Sequence, residues 1–193
     1  MARPREFDPE SALDQVMQVF WAKGYDATSL DDLCDATGLG RSSLYGAFGD
    51  KHALLLQALD RYIERGAARI VKTLAGVPVR EGLANLLNLH VEEIVAGPGR
   101  RGCFVGNCTV ELAQQDPTVQ EKVRGALERN EASFRSALAA AQARGELSRN
   151  IDVGATARFL IASLQGLRVV GKANPDRAVL TDIAKVIARC LDG

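Results

Sequence analysis

The sequence predicts an all-α protein of about nine helices. Nearly every segment between Gly and Pro breakers carries its apolar residues at helical spacing. No segment sustains the two-residue alternation of a half-buried strand. The pairs Asp8-Pro9, Asp116-Pro117 and Asn174-Pro175 each place a capping side chain before a proline suited to the first helical position. With 193 residues, 47% hydrophobic and 25% charged, the chain is long enough for one or two small domains with a real core.

The first helix is expected from about Pro9 to Lys23, with Leu13, Val16, Met17 and Phe20 as its apolar stripe and Gly24 as its stop. The second starts at Thr28 as N-cap. Asp31 stands three residues on, where a capping box prefers Glu. Leu30, Leu33 and Cys34 face inward, and Gly38 ends the helix. The third is short, Arg41 to Phe48, with Leu44 and Phe48 buried. Asp50 caps a long fourth helix reaching about Leu74, with Leu55, Leu59, Tyr62 and Ile63 inward. After the break at Gly76 and Pro78, a fifth helix lines up Leu83, Leu86, Leu87, His90, Val91 and Ile94. A loop, Gly97 to Gly102, precedes a sixth helix from Cys103 to about Gln115. The seventh runs from Pro117 to Arg144 with Val119, Val123, Leu127, Phe134 and Leu138 inward, the eighth from about Asp152 to Lys172, and the ninth from Pro175 to Leu191. The division into residues 1–54 and 55–193 falls near the start of the fourth helix, so the two parts share an element and no flexible linker separates them.

The most informative stretch is Thr28 to Lys51: two short helices around a glycine turn, the second too polar to serve only as core. That is the pattern of a helix-turn-helix, which sets a short helix into the major groove of DNA. Within it Arg41 can reach a guanine edge or a phosphate. Ser42 and Ser43 are small donors and acceptors that let the backbone come close. Lys51 opens a helix whose N–H groups favour an anion. The charge distribution pulls the other way. Basic and acidic residues balance over the whole chain, and up to Asp60 only Arg3, Arg5, Lys23, Arg41 and Lys51 stand against ten acidic residues. Such a balance weakens sequence-independent attraction to phosphate, so binding there rests on where the few cations lie. Asp31, Asp32 and Asp35 are expected to be mostly solvated on the second helix.

Phe20 to Leu54 resembles the N-terminal domain of the TetR family, the tetracycline-repressor-like regulators. The resemblance is carried by Phe20, Gly24-Tyr25, Thr28-Ser29, Leu33, Gly38-Leu39, Ser43-Leu44-Tyr45, Phe48 and Lys51. It continues through Gly102-Cys103-Phe104, Glu111-Leu112-Ala113 and Asp116-Pro117, similar to one ligand-responsive subgroup. Phe159 to Val170, with Gly166, looks like the dimerisation helix. Gly40, where a capping Ser is common, Gly46 within the third helix and the acidic balance depart from the pattern. The resemblance implies an all-helical homodimer that binds a near-palindromic operator in double-stranded DNA, with Thr28 and Tyr45 offering hydroxyls to phosphates. It implies an effector pocket in the C-terminal part, filled by a small molecule the sequence does not name, with release from DNA on binding.

Polar residues on otherwise apolar faces are the candidates for that pocket: Tyr62, His90, Asn107, Glu111, Asn130 and Gln165, with Phe104 and Phe134 as walls. His90, Asn130 and Gln165 read equally as hydrogen-bonded core residues, and Glu111 as an anchor of the sixth helix. Cys103 would sit at a helix N-terminus just after Arg100 and Arg101, both of which favour thiolate. Cys103, and after it Cys108, is therefore a candidate sensor of oxidants or electrophiles, against the plain reading of small buried hydrophobes. Five residues apart on one helix, the two side chains diverge by about 140°, which disfavours a disulfide between them. No zinc-ligand spacing appears and no cofactor is expected.

The last two helices are apolar over much of their surface. Phe159, Leu160, Leu164, Leu167, Val179, Ile183 and Val186 are assigned to a four-helix interface between two copies. No nucleophile–base–acid pattern or phosphate loop suggests an enzyme. The remaining rival is a helical interaction module without DNA affinity. No apolar run long enough to span a membrane and no signal region is read from the sequence, so a cytoplasmic protein with reduced thiols and no membrane partner is expected.

Overall fold

A computed structural model describes residues 7–192. Among the described residues there are nine α-helices and no strand: α1 (Pro9–Lys23), α2 (Leu30–Thr37), α3 (Arg41–Phe48), α4 (Lys51–Leu74), α5 (Val79–Ala96), α6 (Phe104–Glu111), α7 (Pro117–Ala143), α8 (Val153–Ala173) and α9 (Arg177–Ala188). Arg3 and Arg5, counted above among the N-terminal cations, lie outside the described residues.

The caps explain the boundaries. Asp8 accepts from the N–H groups of Glu10 and Ser11 at the start of α1, and Asp116 from Thr118 and Val119 at the start of α7. Two predicted starts move. Ser29, not Thr28, caps α2 in a reciprocal box with Asp32, whose carboxylate reaches back to the Ser29 N–H at 2.9 Å. The shorter Asp can close a box that usually uses Glu. At α9 the proline pair is bypassed, and Asp176 caps from two residues further on by accepting from Val179 N–H. The expected loop from Gly97 to Gly102 contains a 3₁₀ turn, Pro98–Arg101, and α6 stops at Glu111 well short of Gln115. Past Ala188 the ninth helix tightens into another 3₁₀ turn.

Two hydrophobic clusters make up the core. One joins α1, α2, α3 and the first half of α4 to α6 and the first turns of α7, around Phe20, Leu33, Leu44, Leu55, Phe104 and Val119. The other joins α5, α8 and α9 to the ends of α4 and α7, around Leu86, Phe134, Leu138, Leu160, Leu167 and Leu180. The long helices α4 and α7 thus run through both, α4 contributing Leu54 to Ile63 above and Ile70 and Leu74 below. Phe20 and Phe134 are each 1% exposed, and truncating either to Ala is expected to cost about 3–5 kcal/mol. Close approach of α5 and α8 depends on Gly171, where an added Cβ would come within 2.7 Å of the Ile94 side chain.

Helix α8 is the most apolar of the long helices, though Arg158, Arg168 and Lys172 interrupt it. Its length and apolar composition, mean hydropathy 1.2, would suffice to cross a membrane. In the fold its inner face packs into the second cluster through Ala157, Leu160, Leu164 and Leu167. It is apolar on the outer side too, at Phe159, Val169 and Val170.

Candidate functional site

At one end of the molecule α3 is fastened by Leu44 and Phe48 and turns its other residues outward. Arg41, Ser42, Ser43 and Gly46 are exposed, and Tyr45 keeps 36% of its surface. Gly40 caps α3 without a side chain, so the first N–H groups of the helix stay available to an incoming acceptor. The acids of α2 are not simply solvated as expected. Asp31 holds the Arg41 guanidinium at 2.6 Å, and Asp32 pairs with Lys23 at 2.6 Å while closing its capping box. Lys51 lies 4.3 Å above the Tyr25 ring, and Asp50 takes the Ala53 N–H of the helix it opens. Thr28 departs from its expected role: it is 1% exposed, and its hydroxyl donates to the Gly24 carbonyl at 2.5 Å. The turn after α1 folds over it and hides it from a phosphate.

At the seam between the two core clusters lies a cavity of about 260 Å³. Of the residues proposed from sequence, Tyr62, His90, Cys103, Asn130 and Gln165 line it. Phe104 stands behind Tyr62, ring edge to face at 5.7 Å. Phe134 is buried in the second cluster, away from the cavity. Asn107 turns its amide to the Arg101 carbonyl at 2.9 Å. Cys108 is enclosed by the first cluster, and burial pushes its thiol up to about 12. Glu111 reaches out of α6 to accept from the Asp26 N–H at 2.9 Å. Phe104, Phe134, Asn107, Cys108 and Glu111 are therefore removed from the cavity lining. In each case a neighbouring helix or loop claims the side chain first.

Residues that the sequence reading missed complete the lining. Trp21 donates its indole N–H to the Gly102 carbonyl at 3.2 Å and meets Tyr62 edge-on at 5.1 Å. Arg168 donates to the Tyr62 hydroxyl at 2.8 Å. Arg69 grips both oxygens of Glu93, at 2.5 and 2.7 Å. The signal for Arg168 was its place four residues after Leu164, a cation continuing the inner stripe of α8. His90 is buried, and burial holds its pKa down near 4 against the pull of Glu93. Cys103 caps α6 and is 7% exposed, with its sulfur 3.8 Å from the Tyr62 hydroxyl. Arg101 does not face this thiol but bonds Gln18 and lies over Trp21. No group of three or more metal-ligating side chains forms among the described residues.

Short polar contacts tie α6 to the turn between α1 and α2, and α7 to α4. Helix α6 starts just after Cys103 on the cavity and ends at Glu111, whose carboxylate abuts Gly24 and holds the Asp26 N–H in the turn between α1 and α2. Gly24, at φ 84° and ψ 176°, occupies a region open essentially to glycine alone. His52 at the start of α4 bonds Asp116 at 2.6 Å, and Lys122 holds Asp60 at 2.6 Å.

On α8 and α9 the residues assigned to a partner divide. Phe159 (47% exposed), Val179 and Val186 (63%) face solvent and Ile183 is half-buried. Leu160, Leu164 and Leu167 are buried in the chain's own second cluster and are withdrawn from the interface.

Comparison with known proteins bears on both ends. Residues 12–58 match the family model "Bacterial regulatory proteins, tetR family", and residues 81–187 match "Tetracyclin repressor-like, C-terminal domain". The chain is 33% identical over 190 residues to the HTH-type transcriptional repressor ComR of Escherichia coli, covering 97% of this chain and 90% of that one. It is 30% identical over 194 residues to the HTH-type transcriptional regulator YezE of Bacillus subtilis, covering both in full. A cysteine variant of the TetR family transcriptional regulator CifR, solved with 26-base-pair operator DNA, superposes with a TM-score of 0.87 at 31% identity, covering 97% of this chain and 98% of that one.

Proposed function

We propose, from the premise that this chain belongs to the TetR family of bacterial regulators and is a DNA-binding transcriptional regulator and not an enzyme, that it is a cytoplasmic homodimeric repressor released from a palindromic operator by a small molecule. The observation that carries this reading is the outward face of α3, where Arg41, Ser42, Ser43 and Tyr45 are presented together on a helix fastened by only two buried side chains. Arg41 and the serines would meet base edges, and Tyr45 and Lys51 the phosphates. The repressor ComR and the operator-bound CifR support the same use of the fold. The dimer would form through Phe159, Ile183, Val179 and Val186, placing two α3 helices on successive major grooves.

The cavity at the seam is the effector site in this reading. A ligand between the clusters would bias two positions of α6, and the Glu111 bracket would carry that bias to the turn that sets α1 against α2. Cys103 opens onto the same space and is the thiol an electrophile entering it would meet. Cys108, buried with its proton held, is not.

Operator selection from random duplexes, followed by a salt series on the enriched site, tests the proposal. It expects a palindrome and an affinity falling steeply with salt. An unenriched pool would instead favour a helical interaction module.

A further inference from the structure

The cavity wall carries a cation without a counter-ion. Arg168 donates through Nη1 to the Tyr62 hydroxyl and lies through Nη2 3.3 and 3.4 Å from the two His90 ring nitrogens. Neither partner bears a compensating charge at neutral pH: burial raises Tyr62 to about 12 and holds His90 near 4 in its neutral form. The carboxylate on the wall, Glu93, is already gripped by Arg69 through both oxygens, with His90 Nδ1 at 3.6 Å. Arg65, a third guanidinium of the lining, is paired with Asp14 at 2.7 Å. Among the described residues no carboxylate stands within ion-pair distance of Arg168. Arginine does not shed its proton to escape such a site, and a half-buried guanidinium with no carboxylate beside it is only partly compensated by water. Its remaining N–H groups suit the two oxygens of a carboxylate.

The rest of the lining narrows the ligand. Met17, Trp21, Ile63, Ile161 and Leu164 supply apolar wall. Asn130 Oδ1 is buried with no hydrogen-bond partner among the described residues and is free to accept from a second polar group. The volume lies just below the roughly 300–1,000 Å³ of ordinary small-molecule pockets. One spare positive charge matches a single negative one, which favours a carboxylate over a doubly charged phosphate.

We infer that the cavity binds a small organic monocarboxylate, its apolar body between the two cores and its carboxylate on Arg168. This deepens the reading of the cavity as the effector site and rests on it.

Calorimetric titration of the full chain with benzoate and hexanoate, against benzamide and hexanamide, tests the inference. The acids are expected to bind and the amides to bind at least tenfold more weakly, with inorganic phosphate failing to compete. Arg168→Met should weaken acid binding by about ten- to a hundredfold, the range for losing a hydrogen bond to a charged group. Arg168→Lys should retain part of the preference, and this variant serves if the methionine variant does not fold. Amides binding as tightly as acids, an acid preference that survives Arg168→Met, or no binding of either acid up to its solubility would overturn the inference. Operator binding in the same preparations separates the two readings. Acids that bind through Arg168 and leave the operator occupied uphold the anion site and remove the cavity as effector site. Release by the amides alone does the reverse.

Discussion

Replacing Asp31 with Asn should tighten operator binding. The Arg41 guanidinium rests on Asp31 at 2.6 Å, and both side chains are about two-thirds exposed, 65% and 68%. To reach a base or phosphate, Arg41 must leave that partner, and Asp31 then stands beside the DNA as an uncompensated negative charge. An exposed pair of this kind is worth less than about fivefold in an equilibrium constant. A dimer breaks two of them, so Asp31→Asn is expected to strengthen binding by up to about 25-fold, most at low salt where screening is weakest. The assay is fluorescence anisotropy of a labelled operator duplex at two salt concentrations, run on wild type, Asp31→Asn, Arg41→Ala and the double variant. Arg41→Ala should weaken binding and reduce the salt slope. In the double variant most of the gain from Asp31→Asn should vanish, because the gain acts through freeing Arg41. If the gain persists undiminished without Arg41, the effect is only long-range charge and the contact assigned to Arg41 is wrong. If neither single variant changes affinity, α3 is not the reading helix.

Gly24→Ala forces a side chain into a glycine-only backbone region and against Glu111, whose Oε2 would lie 2.9 Å from the new Cβ. A cost of about 1–3 kcal/mol lowers Tm by about 2–12 °C in a protein of this size, measured by calorimetry; an unchanged Tm would contradict the bracket. The neutral, buried His90 must stay unprotonated in the fold while it takes up protons near 6.5 when unfolded, so its contribution is complete above 6.5 and is lost as pH falls toward 4. At about 1.4 kcal/mol per pH unit the loss is about 3 kcal/mol, and denaturant titrations of His90→Asn should lack it. Asp14 and Glu93, both held near 2 by arginine and histidine partners, lose their contributions as pH falls from 3.8 and 4.5 respectively toward 2, so only the start of the Glu93 loss overlaps the His90 window. Phe159→Asp together with Val186→Asp should yield monomers by light scattering and abolish operator binding while leaving the helical circular dichroism intact; dimers that persist would move the interface elsewhere. Iodoacetamide should alkylate Cys103 well before Cys108, read by mass spectrometry of the peptides, and modification of Cys108 first would remove Cys103 as the sensor.

Local signals carried the helices. Asp8, Asp50, Asp116 and Asp152 cap where hydrogen-bonding chemistry places them, and the α3 stripe of Leu44 and Phe48 was readable from spacing alone. The errors fell where a nearby alternative cap competed, as Ser29 did with Thr28 and Asp176 with Asn174. The cavity was legible only in part. Tyr62, His90 and Asn130 betrayed themselves as polar residues on apolar faces. Asn107 and Glu111 gave the same signal and serve as fasteners, because a one-dimensional pattern does not say which neighbour a side chain meets. Arg168 escaped notice because a cation in the last turns of a helix is ordinarily solvated and favoured there. Only the packing of α4, α5 and α8 around it turns that position into a site. The residues proposed for a partner narrow for a similar reason: Leu160, Leu164 and Leu167 share a helix with Phe159 but point into the chain's own core.

Two copies of this chain are expected to use paired α3 helices to hold one symmetric duplex. Hydroxyl-radical footprinting of the selected operator, with the mass of the complex measured in parallel, tests it most directly. Protection related by two-fold symmetry, centred about one helical turn apart, is expected on a complex holding an even number of chains, with loss of that protection on Arg41→Ala. A single bound chain, or protection unaltered when Arg41 is removed, would contradict it.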